Sequence, residues 1–161
     1  MDLSEKLQSH NSVLIVSCPV CPPASLATDT DSPFIELFKH GIKTPAYQDH
    51  LNDIRKPLER LGIRTGVFTS YVPTPTACMW THGQRRRLRK RAQNYDAALV
   101  MGCESLRHLV EEELSGTDCE VMLGMQLIGI TNATLRFSFP FTVRLDNFVR
   151  VSANEQAEHA P

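Results

Sequence analysis

Long apolar runs are missing from this 161-residue chain. The longest, Val13 to Val16 and Ala97 to Met101, fall far short of the roughly 20 residues needed to cross a bilayer. An excess of one charge is missing too, with 17 Lys and Arg against 18 Asp and Glu. Any basic surface for RNA or an anionic membrane must therefore be local. Met1 to Asn11 is polar and contains acids, without the apolar stretch of a signal peptide or anchor. These absences read as a cytoplasmic protein with no membrane partner. Several catalytic signatures are absent as well: no G-x-G-x-x-G follows the first apolar run, and there is no Walker loop, no H-E-x-x-H and no G-x-S-x-G. Dinucleotide enzymes, P-loop NTPases, zincins and α/β-hydrolases are disfavoured on that ground.

What is present is a strand and helix alternation. Ser12 to Ser17 is a continuous apolar and β-branched run, the look of a strand buried on both faces. Pro19, Pro22 and Pro23 forbid regular structure immediately after it. A short helix is expected from Pro33, ended by Gly41, and a longer one over Tyr47 to Leu61 with Leu51, Ile54, Leu58 and Leu61 on one face. Pro57 should kink it, and Gly62 sits at its C′ position. Strands follow at Ile63 to Ser70, Ala97 to Met101 and Val121 to Leu123, with helices at Gln84 to Asn94 and Glu104 to Leu114 between them. That order is the grammar of a Rossmann-like α/β parallel sheet with flanking helices.

The last third differs. From Leu135 to Leu145 apolar and polar residues alternate, predicting an antiparallel β extension with one buried and one wet face. Pro140 on the polar side favours an edge or a bend. Asn132-Ala133 is the expected turn back onto Met125 to Ile130, and the β edge is a candidate homodimer surface. One domain is expected over 1–151, with a frayed tail over 152–161.

Five cysteines are an odd number, which excludes complete pairing within the chain, and a reducing compartment favours metal or thiol chemistry over structural bridges. Cys18 and Cys21 follow the first strand, Cys78 leaves the second and Cys103 ends the third. All four fall on the rim outside the carboxyl ends of the strands, where sites form in open α/β sheets. Cys119 belongs to the opposite rim and reads as an ordinary buried cysteine.

Soft thiolates select zinc or an iron-sulfur cluster, so Cys18, Cys21, Cys78 and Cys103 are candidate ligands, with a 4Fe-4S cluster preferred and Zn the alternative. Cys103 precedes a helix whose positive end favours a thiolate, which makes it a candidate catalytic nucleophile, with Glu104 as an acid or base beside it. His82 is a possible replacement for Cys78. A metal-free dithiol, with Cys18 attacking and Cys21 resolving, is the rival reading. The C-x-x-C departs from a thioredoxin arrangement because its prolines argue against a continuous helix there.

Gln84-Arg-Arg-Arg-Leu-Arg-Lys-Arg91 holds six basic residues in eight. Arg85, Arg86 and Arg87 are candidates for an anionic ligand, whether a small anionic substrate, an acidic partner protein or RNA. No aromatic platform accompanies the run, which disfavours nucleic acid. The expectation is redox or sulfur chemistry on a small anionic substrate or a redox partner protein.

Overall fold

A computed structural model describes residues 3–126 and 128–152. The chain divides into two compact units, Met1–Pro22 with Leu51–Gln126, and Pro23–His50 with Leu127–Pro161. The frayed tail expected from residue 152 lies outside the described residues, save for Ser152 itself.

The first unit is built on strands β1 (Ser12–Ser17), β3 (Arg64–Thr69), β4 (Ala97–Met101) and β5 (Glu120–Leu123), all parallel, in the order β3-β1-β4-β5. Each residue from Val13 to Val16 is wholly buried, which is why β1 reads as an unbroken apolar run. Helices α5 (His82–Ala92) and α6 (Glu104–Leu114) bring Leu88, Ala92, Leu106, Leu109 and Val110 into one cluster with Leu14 and Val16 of β1 and Ala98 and Val100 of β4. Helix α1 (Leu3–Gln8) precedes β1, with Leu7 buried. Among the described residues no helix is long and apolar enough to cross a membrane.

Helix α2 (Cys21–Asp29) overturns the expectation that the prolines exclude regular structure after β1. Pro22 and Pro23 lie in its first turn, where the missing N-H groups would have had no helical partner. Helix α4 (Pro45–Arg60) carries Pro57 inside it and is followed by Gly62 at φ 80°, a left-handed position that suits glycine.

The second unit holds an antiparallel sheet in the order β2-β7-β6, formed by β2 (Ile35–Glu36), β6 (Gly129–Ser138) and β7 (Thr142–Ser152). The helix expected from Pro33 shrinks to α3 (Leu37–His40), ended by Gly41. Ile35 and Glu36 pair with β7 instead, and the Phe34 N-H donates to the Val143 carbonyl. The chain reverses at Phe139 to Phe141, not at Asn132-Ala133. Ala133 marks an irregularity in the β6 ladder, because the register shifts between Asn132 and Thr134. The apolar side of the hairpin is not buried either: Leu135, Phe137, Phe139 and Phe141 are all exposed.

Candidate functional site: a cysteine rim

Strand β1 has its sequential neighbour β3 on one side and β4 on the other, so the sheet's switch point lies between β1 and β4. That crevice is where open α/β sheets place their sites. Cys18 immediately follows β1, and its N-H donates to the Met101 carbonyl at the end of β4 at 3.1 Å. Gly102 comes next. A Cβ there would stand 2.6 Å from Leu106 Cδ2 and 3.4 Å from the Cys18 Cβ, so glycine permits the close approach of the two strand ends. Cys103 is the N-cap of α6, partly exposed, and its sulfur makes no capping hydrogen bond. Its carbonyl instead accepts from the N-H groups of Leu106 and Arg107.

Cys21 opens α2 and is exposed, whereas Cys18 is buried. The Cys21 thiol donates to the Cys18 sulfur, the largest influence on that group. Burial opposes it, and the backbone N-H groups of Ala77, Val20 and Cys21 add to it, so that Cys18 is lowered to about 6. A thiolate with this many donors is favoured without any cation beside it. Cys21 is raised by its bond to Cys18, by burial, and then by the charges of Cys18, Cys103 and Cys78. The two sulfurs thus share one proton, which rests on Cys21 and can move along the hydrogen bond between them.

Cys78 lies in a short 3-10 turn, Ala77–Met79, that follows β3 and is exposed. Its loop is held from beneath by α5. Thr81 caps that helix reciprocally with Gln84, and the wholly buried Gln84 amide donates to Ser70 Oγ at 3.0 Å and to the Thr74 carbonyl at 2.7 Å. Arg87 adds a bond to the Val72 carbonyl at 2.9 Å. Gln84 therefore fixes the segment leading to Ala77, whose N-H meets the Cys18 sulfur. The Thr81-x-x-Gln84 capping box was the readable signal for this residue, and reading the segment for charge alone missed it. Trp80 is buried edge-on to Phe68 with centroids 5.7 Å apart, and its indole Nε1 has no hydrogen-bond partner among the described residues.

The remaining candidates stand elsewhere. Glu104 is exposed and bonded to Arg107 at 2.6 Å, which ties its carboxylate to its own helix. His82 is exposed at the first turn of α5. The basic row is largely engaged within the first unit: Arg85 pairs with Glu112 at 2.8 Å and Glu113 at 3.4 Å, and Arg89 with Glu113 at 2.9 Å. Arg91 lies over the Tyr95 ring, and Arg86 and Lys90 are exposed. Of the three arginines assigned to an anionic ligand, Arg85 clasps α6, Arg87 holds a loop, and Arg86 faces solvent.

Four sulfur donors have the chemistry that zinc or an iron-sulfur cluster selects. Among the described residues, however, no group of three or more His, Cys, Asp or Glu side chains is arranged to hold a metal ion. Cys119, before β5, is buried and raised to about 11 by that burial, with the charge of Asp96 adding to it. Comparison with known proteins finds no matching family model, no matching curated protein and no matching solved structure.

Proposed function

We propose that Cys18 and Cys21 form a dithiol that exchanges with a disulfide of a small molecule or a redox partner protein. The observation that carries this reading is the Cys18 sulfur, lowered to about 6 and bonded by the Cys21 thiol and three backbone N-H groups. Burial supports roles opposite to those expected from the sequence: exposed Cys21 meets the substrate, and buried Cys18 resolves. In the reducing direction, the Cys21 proton passes to Cys18 along their hydrogen bond, and the Cys21 sulfur attacks one sulfur of the substrate disulfide. One substrate thiolate leaves and takes the proton from Cys18. Cys18, deprotonated again, then attacks Cys21 in the mixed disulfide and expels the second thiolate. The pair loses two electrons and its one proton, the substrate gains them, and the second thiolate takes its proton from water. In the reverse direction a partner thiolate attacks exposed Cys21, and Cys18 departs readily because its thiolate is stabilised.

A second reading, an iron-sulfur or zinc centre on Cys18, Cys21, Cys78 and Cys103, is favoured by one observation. The charges of Cys18, Cys103 and Cys78 all act on the Cys21 sulfur, and a bound cation relieves such crowding. Such a centre, when bound, would supply electron transfer or Lewis acidity. The deciding experiment is metal and sulfide analysis of anaerobically purified protein, followed by redox titration against glutathione. Metal-free protein with a reversible two-electron couple, lost in Cys21→Ser, supports the dithiol. About four irons with sulfide, or one zinc, with no couple in the metal-free protein, overturns it in favour of the second reading.

A further inference from the structure

The hairpin β6–β7 turns a row of large apolar side chains to solvent. Leu135 is 52% exposed, Phe137 72%, Phe139 93% and Phe141 59%. Phe38 of α3, 70% exposed, extends the row by packing edge-on against Phe141 with centroids 5.5 Å apart. From the size of an aromatic side chain, the patch offers roughly 600 Å² of apolar surface, at the upper end of what monomers leave open. In the order β2-β7-β6, one side of the ten-residue strand β6 has no neighbour among the described residues, and the ladder irregularity at Ala133 works against its pairing with another strand edge.

We propose that this face is the contact between two copies of the chain, stacked face to face around a twofold axis. Two such patches pressed together would cover roughly 1,200 Å² of apolar surface, which reaches the lower end of the size range of a stable protein interface. The segment Ala153 to Pro161 does not suit the patch, because it carries no large apolar side chain.

The test is mass measurement by sedimentation in the analytical ultracentrifuge, in reductant, which removes any contribution from disulfides, over a concentration series. A species of twice 18.1 kDa is expected. Phe137→Lys and Phe139→Lys should each weaken the association by at least roughly thirtyfold, with an unchanged far-ultraviolet dichroism spectrum. A mass of 18.1 kDa at every concentration overturns the proposal. So does a dimer that both lysine variants leave intact, since its contact must then lie elsewhere.

Discussion

Two buried cysteines at opposite rims of one parallel sheet behave in opposite ways. Cys18, at the carboxyl ends of the strands, is lowered to about 6, while Cys119, at the amino ends, is raised to about 11. Burial acts in the same direction on both, against the thiolate. What separates them is hydrogen bonding. The chain turns away from β1 through Val20 and Cys21, and the loop after β3 brings up Ala77, so that backbone N-H groups and the Cys21 thiol converge on one sulfur. Beside Cys119 stands the carboxylate of Asp96. The rim, more than the residue type, decides which sulfur is favoured as a thiolate.

The sharpest way to break that contrast is to exchange the sulfurs for oxygen. Cys18→Ser and Cys21→Ser should each reduce disulfide exchange by at least about a hundredfold, whereas Cys119→Ser should leave it within about twofold. Glutathione-coupled turnover measures all three. If Cys119→Ser alone abolished exchange, the assignment of the reactive rim would be wrong.

Stability against pH sharpens the same difference. The native Cys18 value of about 6 lies below the ordinary 9.0, so the unfolded chain binds a proton that the native site does not. The stabilisation is fully present above 9.0 and is lost as pH falls through about 6. Urea unfolding of the reduced protein should therefore show stability rising across that window, by at most about 1.4 kcal/mol per pH unit. Cys18→Ser should flatten the slope, and a slope unaltered by that change would contradict the thiolate.

A smaller effect is expected from the loop's support. Gln84→Ala removes the amide that holds Ser70 and Thr74 and should cost about 1–3 kcal/mol. Because the same loop delivers the Ala77 N-H, the variant should also move Cys18 upward, read as a shift in the pH dependence of thiol alkylation. Unfolding midpoints combined with alkylation rates check both parts. Cys119→Ala should do least, changing stability by about 1 kcal/mol or less and alkylation at neutral pH not at all.

Much of this arrangement was legible in the sequence where side-chain patterning alone determines structure. Strands β1 and β4 and helix α6 fall on the expected residues, because fully buried strands and an amphipathic helix with Leu106, Leu109, Val110 and Leu114 leave strong periodic signals. The order of those elements was enough to collect Cys18, Cys21, Cys78 and Cys103 on one rim. Helix α2 was missed because prolines were weighed as helix breakers without regard to position, although a first turn tolerates them. The hairpin turn was missed because Asn132-Ala133 resembles a turn by composition, while Phe139-Pro140-Phe141 resembles a strand by alternation. Exposure of Phe137 and Phe139 was also beyond reach, since a period of two marks a two-sided strand without saying what covers its apolar side. The basic row read as a binding surface, and only its partners Glu112, Glu113 and the Val72 carbonyl reveal an internal clasp.

The most direct measurement is the ultraviolet thiolate absorbance of reduced, metal-free protein, titrated from about pH 4 to about pH 8 and repeated on Cys18→Ser. One thiolate appearing with a midpoint near 6, and missing from the variant, is the expected result. Absence of any thiolate below about pH 8, or an identical titration in Cys18→Ser, would contradict a charged Cys18 at the switch point of the sheet.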